Sequence, residues 1–333
     1  MIENMDLPKI LRRALRKGGD FAELFEELSH STHIQREGKR FEKILGGVDT
    51  GIGLRVLHQG KTAYAYTNDC SEAALLELAD GVAEAVSGKL WDRDIVLKSV
   101  EPSWRQVLEI DPTTVPLEEK INLLKHADEQ VWTVDSRIRQ VTTSYRDQIR
   151  HIRVANSRGE LCEDRQVYSV FVVQAVAAEG ENIQTGYEPL GGTVGFELFK
   201  GNKAVSVALE AGRRAIRMLE APLAPSGPMT VVVASEAGGT LVHEAVGHGL
   251  EADLAREGLS VYQNQLGKEV GSPLINVLDD PTLPGKRGSF LFDDEGTPSQ
   301  KNLLIEKGVL KNYMYNRIYA ERDGVPSTGN GRR

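Results

Sequence analysis

Two histidines stand five positions apart in Thr240-Leu-Val-His-Glu-Ala-Val-Gly-His-Gly-Leu250, at 243 and 248, with Glu244 directly after the first. That spacing constrains the local fold. On a regular α-helix five residues advance roughly 500°, which leaves the two rings roughly 140° apart and unable to share a metal ion. A π-type turn, with hydrogen bonding shifted to i→i+5, would bring both onto one face. Gly247 and Gly249 make such a distortion, or an early helix end, less costly. The sequence therefore predicts an irregular stretch between His243 and His248, inside a helix running from about Glu236 to Leu254.

The residue types name a chemistry. Two imidazoles followed by a glutamate are the tools of a zinc peptidase: His243 and His248 would hold the metal, and Glu244 would take a proton from water and pass it to the leaving amine. The bland reading is a buried helix that happens to carry two histidines. The other five, His30, His33, His58, His126 and His151, have no glutamate in this arrangement. A charged Glu on an otherwise apolar helix needs a partner, and a metal supplies one.

Around this motif the chain reads as α+β. Ile10, Leu11, Ala14 and Leu15 mark a first helix stopped at Gly18-Gly19. Ile52, Leu54 and Val56 alternate as a strand, Gln59-Gly60 makes a turn, and Tyr64 and Tyr66 lie on the return strand. Asp69 with Glu72 has capping-box spacing for the next helix. A helix follows Pro116; strands are expected over Arg137–Tyr145, Ile149–Asn156 and Leu161–Ala177, the last buried on both faces at its centre. A helix through Val205–Leu219 ends this part. The Pro222–Pro228 linker separates residues 1–225, with a subdivision near 100–115, from residues 226–333. Beyond it, a short buried strand is expected over Met229–Ala234 and a hairpin around Lys307-Gly308.

Charge and cysteine content exclude some functions. With 48 acidic residues against 40 Lys and Arg, the net charge of -8 opposes non-specific nucleic-acid binding. Cys70 and Cys162 cannot form a disulfide scaffold, and the longest apolar runs, Val170 to Val173 and Val231 to Ala234, are far too short to span a bilayer, so a soluble cytoplasmic protein is expected. Asp293, Asp294 and Glu295 lack the alternating spacing of a calcium loop and read as an acidic turn near the rim of the site. Asp279-Asp280 reads as an ordinary turn, and Arg332-Arg333 as solvated. Gly238-Gly239 has neither a following Lys-Ser/Thr nor a GxGxxG pattern, so a phosphate loop is set aside.

The stretches GGTLVHEAVGHGLEADL, SFLFDDEGTPS and STGNGRR, with GVDTGIGLRVL and KTAYAYTND in the first half, closely resemble the TldD branch of the TldD/PmbA family over nearly the whole chain. The resemblance implies an N-terminal sheet-and-helix domain, then a β-rich, partial-barrel metallopeptidase domain. It implies a cytoplasmic zinc (Zn2+) metallopeptidase acting on unfolded or flexible peptides, with His243 and His248 as ligands and Glu244 as general base. It implies a dimer, with a PmbA/TldE-type subunit that lacks the motif or with itself. The family's third ligand is a cysteine near its C-terminus; neither Cys70 nor Cys162 matches, so that ligand is expected beyond Arg333 and the site as given is expected to be incomplete, holding zinc weakly. Two rivals stand beside the peptidase: a non-catalytic peptide-binding subunit, and a regulator of the kind described as a modulator of DNA gyrase.

Overall fold

The computed structural model describes residues 5–89 and 91–332. Helix α1 (Leu7–Ala14) begins where the Asp6 side chain accepts the Lys9 N–H at 2.9 Å. Gly18 and Gly19, at φ 120° and 122°, turn the chain into β1 (Phe21–Glu37). Strand β2 (Arg40–His58) returns antiparallel, and β3 (Lys61–Thr67) follows through Gln59 and Gly60, both at positive φ as expected of a tight hairpin. Helix α2 (Glu72–Glu84) corrects the expected cap: Ser71, not Asp69, accepts the Ala74 N–H, while Asp69 accepts that of Ser71 and shapes the turn before it.

Then come β4 (Lys98–Ser99), α3 (Leu117–Val131), β5 (Ile138–Asn156), β6 (Glu160–Glu179), β7 (Asn182–Gly192) and α4 (Lys203–Glu220). The strands form one sheet in the order β3-β2-β1-β5-β6, with β4 and β7 both along β6. All pairs are antiparallel except β4 with β6. The two strands expected over 137–156 are one continuous strand. The polar run Arg146-Asp147-Gln148 interrupts the hydrophobic pattern but not the ladder, because Asp147 turns inward to Lys120 at 2.5 Å while its neighbours face out.

One face of this sheet carries the core. Helices α1 and α2 pack on Leu24, Leu54 and Val56; α3 and α4 pack on Ile34, Tyr145, Phe171 and Val173. Each large buried side chain contributes roughly 1.5–3 kcal/mol. Among the described residues the opposite face is covered only at one end, where Phe292 meets Ile152, Val154 and Cys162. Strand β6 is therefore not buried on both faces as expected: Val167, Phe171 and Val173 are buried, while Tyr168, Val170 and Val172 are half-exposed.

The last part begins with α5 (Ser235–Val242), a π turn (His243–Gly247) and a 3-10 turn (His248–Leu250), followed by α6 (Ala252–Arg256). Strands β8 (Val277–Asp279), β9 (Asn302–Glu306) and β10 (Val309–Leu310) make a separate antiparallel sheet, and α7 (Arg317–Asp323) closes the sequence of elements. Leu250, Ala252, Leu304, Ile305, Leu310, Tyr313 and Tyr315 form its core. No closed barrel forms among the described residues. The strand expected over Met229–Ala234 is corrected: no ladder partner lies beside it among the described residues, and Val231 and Val232 face solvent. For the same reason α5 is exposed, not buried, at Leu241 and Val242.

The acidic run Asp293–Glu295 is also corrected. It is buried and clasps three parts of the molecule together. Asp293 accepts the N–H groups of Glu295, Thr297 and Gly331 at 2.8–3.0 Å. Glu295 meets Arg55 on β2 at 2.7 Å and accepts the Arg317 N–H at 2.7 Å. Asp294 lies 3.5 Å from Arg332, so Arg332 is not simply solvated; Arg333 lies outside the described residues. The residues SFLFDDEGTPS thus anchor the terminal STGNGR segment to the first sheet.

Candidate metal centre

The motif helix is regular through α5 and then widens by one residue. The His248 N–H donates to the His243 carbonyl, five residues back, which defines the π turn the spacing predicts. Two hydroxyls beside this irregular stretch reach carbonyls in it: Tyr262 donates to the Ala245 oxygen at 3.3 Å, and Ser260 to the Gly249 oxygen at 2.5 Å. The helix stops at Glu251, where Ala252 N donates to Met314 O at 2.9 Å and Met314 N donates to Leu250 O at 2.8 Å. One hydroxyl therefore holds the π turn, a second holds the 3-10 turn after it, and a short parallel bridge pins the end.

The consequence is convergence. The His243 and His248 rings lie 4.4 Å apart between centroids, inclined at 64°. One ligand atom each from His243, Glu244 and His248 can be chosen so that all lie within 4.8 Å of one another. His248 Nε2 is 4.0 Å from Glu244 Oε2. The same ring's Nδ1 lies 2.7 Å from Glu251 Oε1, which fixes a proton on that nitrogen and leaves Nε2 turned towards the cluster. The bond to Glu251 raises the His248 pKa above the ordinary histidine value, with the charges of Glu251 and Glu244 adding to it. Two imidazoles at this separation fit a zinc ion as nitrogen donors, with the Glu244 carboxylate beside them.

The cluster opens into a cleft of about 620 Å³ lined by Val242, His243, Glu251, Asp279, Asn330 and Arg332 among others. Here Asp279 and Asp280 part company. Asp280 makes the ordinary turn, accepting the Thr282 N–H at 3.0 Å. Asp279 instead stands in the cleft wall and accepts from Asn330 at 2.9 Å and Asn302 at 3.2 Å. Neither cysteine approaches. Cys162 is buried, its thiol against the Gly296 carbonyl at 3.1 Å and its pKa pushed up to about 12 by burial, and Cys70 lies beside Thr50. Among the described residues no cysteine joins the cluster. Sequence reasoning missed Glu251; the signal was a carboxylate three residues after the second histidine.

Models of three domains of the PmbA/TldA metallopeptidases match this chain: domain 1 over residues 22–86, the central domain over 110–219 and the C-terminal domain over 226–333. The chain belongs to this family. A metalloprotease of Methanocaldococcus jannaschii is 33% identical, over 98% of this chain and 72% of the relative. A metalloprotease TldD homolog of Haemophilus influenzae is 34% identical, over 94% of this chain and 67% of the relative. A relative in Saccharolobus solfataricus, 28% identical over 97% of this chain and 71% of its own length, is named a zinc metalloprotease TldD homolog. Solved structures share the fold. One from Thermotoga maritima, described as a candidate modulator of a DNA gyrase, superposes with a TM-score of 0.80 at 22% identity, over 94% of this chain and 71% of that one. TldE of Thermococcus kodakarensis does so with 0.75 at 16% identity, over 98% and 73%. Among the described residues no helix is long and apolar enough to cross a membrane.

Proposed function

We propose that this chain is a zinc-dependent peptidase of the cytoplasm, with His243 and His248 as metal ligands and Glu244 as general base. The observation that carries the reading is the π turn, which gathers two imidazoles and a carboxylate that a regular helix would scatter. A zinc ion held there would polarise a peptide carbonyl and make nearby water more acidic. The chain's own residues do the rest. Glu251 holds the His248 ring by its Nδ1–H, so that Nε2 keeps its lone pair for the metal. Glu244, exposed beside the rings, takes a proton at its carboxylate from the attacking water and returns it to the leaving amine nitrogen.

The open cleft suits an extended chain rather than a folded surface, so the substrate is a flexible peptide. Residues 226–333 form the metallopeptidase domain and residues 1–225 the sheet-and-helix domain that supports it. The structural likeness to TldE favours pairing with a PmbA/TldE-type subunit, or with a second copy. The reading is tested by turnover of a denatured protein with added zinc. Glu244→Gln should abolish cleavage while zinc uptake persists. If cleavage survives in Glu244→Gln, Glu244 is not the general base; if the wild-type chain binds peptides without ever cutting them, the peptidase reading gives way to a binding subunit.

A further inference from the structure

The uncovered face of the large sheet carries a second, larger trough of about 1260 Å³, separate from the metal centre. Its cations are Lys43 on β2, Arg146 and Arg150 on β5, Arg287 in the loop before the acidic clasp, and Arg332 near the chain end. Two carboxylates line it, and both are already matched: Glu27 by Arg150 at 2.7 Å and Asp147 by Lys120 at 2.5 Å. Lys43, Arg146 and Arg287 are exposed and have no ion-pair partner among the described residues. In a chain of net charge -8 this patch runs against the overall sign.

The register explains why the charges gather. Arg146 pairs directly with His33 across β5 and β1, and Lys43 pairs with Gln35 two positions further along β1, so their side chains share one face. Their fields meet at His33, whose pKa is lowered by burial first and then by Arg146 and Lys43. Arg287 is placed by Thr193, whose hydroxyl donates to the Lys286 carbonyl at 2.9 Å and whose N–H donates to the Gly285 carbonyl at 3.2 Å. Between the cations the surface is built from Tyr168, Val170 and Val172, half-exposed.

We infer that this trough binds the acidic segment of an extended peptide, whose neutral backbone continues into the metal cleft. Arg332 lines both depressions and marks where they approach. A continuous polyanion such as nucleic acid fits less well, because the metal cleft is walled by Glu251, Asp253 and Asp279. A peptide can place glutamates on the cations and pass uncharged residues between those carboxylates. This rests on the peptidase reading for its direction of travel, and it names the substrate class that reading leaves open.

The test is binding of two labelled, unstructured peptides that differ only in Glu against Gln, measured by fluorescence anisotropy with the full chain. The Glu peptide should bind about tenfold more tightly at low salt, and the gap should close as salt rises. In the Lys43→Gln, Arg146→Gln, Arg287→Gln triple variant the two should bind within about twofold of each other. Arg287→Gln alone, on an exposed loop, should narrow the gap and serves if the triple variant does not fold. Equal binding by the wild-type chain, a preference that survives both variants, or an oligonucleotide of matched charge binding more tightly than the Glu peptide would overturn the inference. The readout needs no turnover. A trough without acidic preference overturns this inference alone, whereas a chain that never hydrolyses peptide overturns the reading beneath it.

Discussion

His248 Nδ1 and Glu251 Oε1 lie 2.7 Å apart across the point where the motif helix ends. The carboxylate sets both the tilt of the ring and the nitrogen left for a metal. Such outer partners are commonly worth 10–100-fold in metal affinity. Glu251→Ala should therefore weaken zinc binding by about that factor, and Glu251→Gln, which keeps an acceptor, by less. Competition against a chromogenic chelator measures both. Unchanged affinity in Glu251→Ala would detach Glu251 from the site.

The two glycines of the motif should behave differently. Gly247 has helical dihedrals, φ −55° and ψ −60°, and an added Cβ would meet nothing closer than His243 Nδ1 at 3.6 Å. At Gly249 an added Cβ would stand 2.7 Å from the Tyr262 ring, whose hydroxyl bonds the Ala245 carbonyl. Gly249→Ala should lower both stability and zinc affinity, by about 1–3 kcal/mol in stability. Gly247→Ala should change stability by less than about 1 kcal/mol. Thermal melts of the two variants side by side check the order.

Asp293 gives the fold a pH dependence. Burial, then the nearby charge of Glu295, pushes its pKa up to about 7, against the accepted backbone N–H groups of Gly331, Thr297 and Glu295. The folded state then holds a proton that the unfolded state has already lost above about pH 4. Its contribution is present below the unfolded value and disappears as pH rises through about 7. Denaturant midpoints should accordingly fall between those two values, and Asp293→Asn should flatten that slope. An identical slope in the variant would contradict the assignment.

Arg55 is the cation of the clasp. It lies 2.7 Å from Glu295 and 3.1 Å from Glu23, all three largely buried. Removing it leaves two carboxylates in the interior without their shared charge, a loss on the order of 3–5 kcal/mol. Arg55→Ala should unfold at correspondingly lower denaturant, and its terminal segment should become the first site of limited proteolysis. A loss under about 1 kcal/mol would show that the clasp is not a stability element.

The irregular motif helix was legible because a five-residue spacing leaves geometry only one economical solution. The hairpin at Gln59-Gly60 was legible from its turn residues. By contrast, the length of β1, β2 and β5 was hidden. Their outward face is polar, so Arg146 to Gln148 look like a break although the ladder runs on. Asp293–Glu295 reads as a solvated turn because three consecutive acids normally seek water; Arg55, Arg317 and three backbone N–H groups, all distant in sequence or visible only once folded, draw them inside. Met229–Ala234 shows the opposite failure: an apolar run alone does not make a strand without a neighbour to pair with. The cationic trough depends on cross-strand register, which no local pattern displays.

Zinc uptake per chain, titrated in the wild type, in Glu244→Gln and in the His243→Ala and His248→Ala variants, decides whether the π turn is a metal centre. Saturable uptake of one zinc is expected in the wild type and in Glu244→Gln, and its loss in either histidine variant. Undiminished uptake in either histidine variant would show that the π turn gathers the two imidazoles for some other reason.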